Sequence, residues 1–193
     1  MSSVVYVAIF VCGIEAMNSS REHLEIVDRF AVVARQFCTI VDAASSLSRK
    51  EFLTQVYSIL PKLIDQAIGL PAVAIESGDD EPLGLGEVEN AARHGQPEWQ
   101  RRYILLKELF GDWDCYQLVF NPVGDREPIC GSLGDDLADI YRDLNEVLAE
   151  RESGSVSPED QIWKWRFLFS YHWGKHAVDA LSAVYWRLER NET

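Results

Sequence analysis

Between Ser20 and Ala44 the apolar residues Leu24, Val27, Phe30, Ala31, Ala34, Phe37, Cys38 and Val41 recur at steps of three and four. That is the period of a helix with one apolar face, and later segments between turn signals are also written as helices. A chain written this way must bury helical stripes against one another. Ser48 stands three residues before Glu51, the spacing of a capping box, and opens a second helix through Phe52, Val56, Ile59, Leu63 and Ala67. Pro61 removes a helical donor and is expected to kink or shorten that helix. The short connection between the two predicts a helical hairpin.

Residues 69–97 carry Gly69, Pro71, Gly78, Pro82, Gly84, Gly86, Gly95 and Pro97, with few large apolar anchors. They read as a long connection, expected to be disordered. A third helix is expected from Pro97 through Trp99, Tyr103, Leu106 and Phe110, with "DWDCYQLVF" as a short element after it. "NPVGDREPICGS" is turn chemistry, and Ser132 then caps a helix with Asp135 and Asp136 in its first turn, where acids oppose the positive end of the dipole. Leu133, Leu137, Ile140, Tyr141, Leu144, Val147 and Leu148 are its apolar stripe, which places Asp135, Asp139, Asp143, Glu146 and Glu150 on a solvated face. Ser157 and Pro158 mark the start of the last helix, apolar on nearly all sides and therefore expected to be buried.

The fold expected is all-α: a single-domain bundle, residues 17–193, of about five main helices at 20–44, 48–68, 97–110, 132–150 and 158–188, with the aromatic-rich C-terminal helix at its centre. The run Val4–Ile14 has 11 residues, well short of the roughly 20 that span a bilayer. No basic residue precedes it, as a signal peptide would require. Residues 1–16 are read as an apolar tail that adds little to the fold, with Met17 as an alternative start.

The net charge of −13 and the lack of a Lys/Arg cluster exclude non-specific nucleic-acid binding as a class. With no membrane segment either, the expected partner is another protein. Residues 111–152 hold 11 acids and 3 bases, whereas 161–190 hold 5 bases and 2 acids, so these two segments are expected to lie together. The cysteines Cys12, Cys38, Cys115 and Cys130 form no C-x-x-C pair and read as reduced thiols of a cytoplasmic protein, although Cys115 and Cys130 bracket a short loop.

Chemistry concentrates in "HWGKHAVD", where His172, His176 and Asp179 fall at i, i+4 and i+7 on one helical face. Two histidines one turn apart are a usable metal pair. No H-E-x-x-H and no paired E-x-x-H accompany them, so buried hydrogen-bonding histidines are the first expectation and a metal or small-ligand enzyme using this face the second. Gly174 is expected to permit close helix packing. Asp136 flanks the apolar stripe and needs a partner if buried. Arg166 is the expected one. The alternative is a pocket where Asp112, Asp114, Asp136, Arg166, His172 and His176 converge. No phosphate or dinucleotide motif is present, and no cofactor is expected.

The stretches "GDWDCYQLVFNP", "EPICGSLGDDLADIYRDL" and "WKWRFLFSYHWGKHAVDALSAVY" resemble a bacterial family of uncharacterised proteins, domain of unknown function 5063. The resemblance covers about the last 90 residues sharply and the N-terminal hairpin by pattern. It implies a stand-alone helical domain and carries over no site residue. The function expected is that of a non-enzymatic interaction or regulatory module.

Overall fold

The computed structural model of the chain describes residues 3–73, 96–124 and 126–190, with side chains for 21–73, 97–124 and 126–190. Its helices are α1 (Ser3–Asp42), α2 (Arg49–Ile68), α3 (Gln96–Phe110), α4 (Leu133–Ser153), α5 (Pro158–Leu168) and α6 (Gly174–Glu189). A π-helical turn, Phe169–Trp173, joins α5 to α6 in one continuous length. The architecture is the all-α bundle that the periodicity predicts. The expected tail at 1–16 falls on side chains outside the described residues, although the backbone of α1 begins at Ser3 and not at Ser20. Most of the expected long loop, residues 74–95, also lies outside them.

Helix α4 packs against α1, α3, α5 and α6. Its Leu137, Ile140 and Leu144 are fully buried, and Val27, Phe37, Phe52, Leu63, Trp165 and Trp173 close the same core. Burying each such side chain stabilises the fold by about 1.5–3 kcal/mol. The continuous length from α5 to α6 reaches α1, α2 and α4. It is not buried on every side, since Tyr171, Val178, Tyr185 and Trp186 remain exposed. Exposed rings on this helix pair with one another, as Tyr185 does with Trp186, and an all-round apolar pattern cannot distinguish that from burial.

The start signals act as written. Ser48 and Glu51 form the reciprocal capping box, Ser157 accepts from the Asp160 amide at 3.1 Å, and Ser132 accepts from the Asp135 amide at 3.2 Å. Pro61 does not end α2, which runs on to Ile68. The proline is exposed, so the carbonyl it leaves without a helical donor lies on the wet side of the helix.

The segment after α3 departs from expectation in two ways. Beyond the tight turn Gly111–Trp113 the chain forms an antiparallel hairpin of β1 (Cys115–Leu118) and β2 (Ile129–Ser132); Asn121 makes the expected turn between them, but the segments on either side are paired strands. Cys115 and Cys130 are joined by a disulfide across that hairpin, so the expectation of reduced thiols fails for this pair. Cys38 is a free, buried thiol, pushed up to about 12 by its burial and by Asp42. Among the described residues no helix is long and apolar enough to cross a membrane.

Candidate functional site

The site is set by the π-turn. From the buried positions Gln161, Ile162 and Trp165 of α5, a regular period of 3.6 residues would carry the inward stripe on to about 172, 176 and 179. Those positions are His172, His176 and Asp179. The turn inserts one residue, with the Gly174 amide bonded five residues back to the Phe169 carbonyl. One extra residue rotates all of α6 by about 100° relative to α5. Trp173, Ala177, Ala180 and Val184 therefore take the buried positions, and the histidines move to the flank that faces α4.

There they meet acids. His172 Nδ1 lies 2.6 Å from Asp143 Oδ2, and His176 Nδ1 lies 2.8 Å from Asp136 Oδ1. The two imidazole rings are 5.0 Å apart between centroids. Asp139, on α4 between the two paired acids, holds Oδ2 3.6 Å from His176 Nε2, and its Oδ1 is ion-paired with Arg142 Nη1 at 3.0 Å. Arg142 also donates through Nε to Asp143 Oδ1 at 3.1 Å, and its Nη2 is 3.4 Å from both ring nitrogens of His172. From the hairpin, Tyr116 donates its hydroxyl to Asp136 Oδ2. Asp136, Asp139 and Asp143 are all buried.

The electrostatics show the strain of placing acids this closely. Burial raises the Asp139 carboxyl above the usual carboxylate range even though Arg142 and both histidines pull it down. Burial, then Asp139 and Asp136, raise Asp135 as well. For His176 burial opposes the charged form, but the hydrogen bond to Asp136 and the fields of Asp139, Asp136 and Asp135 outweigh it and raise its pKa. Tyr116 is pushed up by burial and by Asp136, so it stays a phenol. One donor atom from each of Asp139, His172 and His176 lies within 4.8 Å of the others.

The residues singled out in the sequence separate into two groups. Asp136, His172 and His176 come together. Arg166 does not join them, because its Nη1 donates to the Leu70 carbonyl, and the expected Asp136–Arg166 pair is replaced by Asp136 with His176 and Tyr116. Asp179 pairs with Lys175 on its own helix. Asp114 is buried, but it clamps the start of α4, accepting from the Gly134 amide and the Ser132 hydroxyl at 2.7 Å each, while Asp112 is exposed. Asp139 and Asp143, which the helical period places on a solvated face, are instead the acids that meet the last helix. Helical spacing alone misses them. Arg142, one residue from Asp143 and three from Asp139, is the signal that this stripe is not merely wet.

Taken together, the described residues form a single-domain helical bundle with a small hairpin and a face where half-buried histidines meet buried aspartates. The chain belongs to the family described as Domain of unknown function (DUF5063), whose model matches residues 21–187. It is similar in structure to protein BF1032 from Bacteroides fragilis, at 22% identity and a TM-score of 0.61, over 81% of this chain and 87% of that one. That likeness supports the fold alone. No functionally curated protein matches the chain.

Proposed function

We propose that this chain is a small-ligand-binding helical domain whose ligand is a cation, taken up between α4 and the segment carrying His172 and His176. The observation that supports it is the imbalance of fixed charge there: Asp136, Asp139 and Asp143 are buried together, and among the described residues Arg142 is the permanently charged base that pairs with them. Carboxylates forced this close are unfavourable without compensating positive charge. Arg142 and a charged His176 supply part of it, and a bound cation supplies the rest. The test is a thermal-shift series on the purified chain with divalent metals, a polyamine and a small quaternary ammonium. A ligand that binds only the native state raises its stability with concentration, and Asp139→Asn and His176→Ala should abolish the shift. No shift from any of these cations would overturn the reading.

A second reading, a protein-interaction module, draws on one further observation. Tyr57 at 40%, Tyr185 at 40% and Trp186 at 55% exposure form an aromatic surface on α2 and α6. Large exposed rings of this kind are enriched at partner interfaces. Affinity capture from the native host with wild-type chain and with Trp186→Ser tests it, and equal recovery of partners by both would count against it.

A further inference from the structure

We propose that the cation taken by this face is a divalent transition ion of the zinc class, held by Nε2 of His172, Nε2 of His176 and a carboxylate oxygen of Asp139, with Arg142 as the resident competitor it displaces. The inference rests on the cation-site reading above and names its ligand.

The orientation of the two rings carries it. Each histidine has its Nδ1 engaged by a buried carboxylate, His172 by Asp143 at 2.6 Å and His176 by Asp136 at 2.8 Å. In the neutral ring a carboxylate at Nδ1 selects the tautomer with its proton there and leaves a lone pair on Nε2, the arrangement that prepares imidazole for a metal, which takes the place of the second proton. The orienting carboxylates are themselves held. Asp143 accepts from Arg142 Nε at 3.1 Å, and Asp136 accepts from Tyr116, a phenol that keeps its proton. Two Nε2 atoms and one carboxylate form a three-ligand set with room for a fourth ligand, as open zinc sites have. Imidazole donors favour zinc, copper, nickel or iron over magnesium and calcium, which take oxygen. An organic ammonium can at most donate hydrogen bonds to the two ring nitrogens and a quaternary one not even that, whereas a transition ion forms coordinate bonds with both.

The spacing is close to what coordination needs. One ligand atom of each of the three residues lies within 4.8 Å of the others, and Asp139 Oδ2 is 3.6 Å from His176 Nε2. Bonds of about 2.0–2.1 Å in a tetrahedron require donors roughly 3.4 Å apart, so they need to close by up to about 1.4 Å. Side-chain torsion at His172, whose side chain is 37% exposed, supplies that movement without disturbing the core.

Arg142 stands in the way. Its Nη1 holds Asp139 at 3.0 Å, and its Nη2 lies 3.4 Å from both nitrogens of His172. It therefore occupies two of the three ligands as a fixed intramolecular cation. A metal enters by turning that guanidinium away from Asp139, while Asp143 keeps its hydrogen bond to His172. Arg142 then sets affinity: it lowers the cost of the acids in the apo state and weakens metal binding by the same interaction.

The experiment uses the full chain, stripped with a chelator and exchanged into metal-free buffer, then titrated with zinc against a chromophoric chelator and with cobalt by absorption. One ion per chain is expected, with tetrahedral cobalt bands. His176→Ala should lower affinity at least about 100-fold, Asp143→Asn about 10-fold, and Arg142→Gln should raise it about 10-fold. The last variant removes no proposed ligand, so a gain cannot be confused with misfolding. Absence of stoichiometric metal in both wild type and Arg142→Gln overturns the proposal, as does binding that His176→Ala leaves unchanged in a variant with native circular dichroism. If a polyamine or ammonium binds and metals do not, the zinc-class ligand is refuted while the cation site stands. If no cation binds, both fall.

Discussion

Replacing Asp143 by alanine separates a solvated acidic stripe from a buried polar cluster. The carboxylate is 4% exposed and bridges two partners, Arg142 Nε at 3.1 Å and His172 Nδ1 at 2.6 Å. Breaking a fully buried ion pair from one side costs about 3–5 kcal/mol, because the remaining charge is left uncompensated. Here the remainder is partly compensated. Arg142 keeps Asp139 at 3.0 Å, His172 is 37% exposed and can turn to water, and Asp139 is relieved of a like charge that raises its pKa. The expected loss is therefore about 2 kcal/mol, within the range for stranding a buried polar partner. With a urea slope of about 2 kcal/mol per molar, the midpoint should fall by about 1 M. Asp112→Ala, on an exposed turn residue, is the control and should leave the midpoint where it was. The double variant Asp143→Ala with His172→Ala should show a coupling of about 1 kcal/mol. If Asp143→Ala and Asp112→Ala melt together, the stripe is wet and the cluster has no energetic content.

The same geometry makes three further outcomes testable. The His176 pKa is raised in the folded state, so its contribution is fully present below the unfolded value of about 6.5 and is lost as pH rises through the folded one; urea midpoints between pH 6 and pH 9 should fall more steeply for wild type than for His176→Gln. Ser132→Ala removes the acceptor for the Asp135 amide and a donor to Asp114 and should destabilise by about 1–2 kcal/mol in thermal melts. Alkylation under native, non-reducing conditions and then mass spectrometry should show Cys115 and Cys130 unmodified, since they are bonded to each other, and modification of both without reductant would contradict the disulfide.

What the sequence reveals and what it hides divide along physical lines. Caps are local: Ser48 with Glu51, and Ser157 with Pro158, act through residues close in the chain, so the helix starts are legible. The stripe on α4 is legible as a period but not as an environment. A polar face is solvated or buried according to what packs on it, and the 3.6-residue count does not carry that information. The complementary charge of segments 111–152 and 161–190 does carry some of it, and Lys164 on Glu150 at 2.6 Å is one place where the two meet. Charge alone assigns Arg166 to Asp136, whereas a guanidinium satisfied by a backbone carbonyl, here that of Leu70, leaves no trace in composition. The hairpin is hidden because strands of four residues are too short for alternation to be read with certainty.

Gly174 is where local propensity and tertiary geometry make opposite predictions. The sequence marks it as a mid-helix glycine kept for close helix packing, and alanine in such a position ordinarily stabilises by about 1 kcal/mol. The close approach is instead to its own chain: a Cβ at 174 would lie 2.3 Å from the Phe169 carbonyl oxygen and 3.0 Å from the Phe169 ring. The carbonyl is the acceptor of the π-turn bond from the Gly174 amide, so it cannot yield without opening the turn. The turn in turn fixes which side of the helix is inward, with Trp173 and Ala177 buried and the histidines beside them facing Asp136 and Asp143. Gly174→Ala should therefore destabilise, by about 2 kcal/mol once the strain of a displaced backbone is set against the propensity gain, and should shift the near-ultraviolet signal of the buried Trp173. The sign decides the matter. A variant more stable than wild type would mean that the π-turn is not what places His172 and His176, and that the helix is regular through this segment.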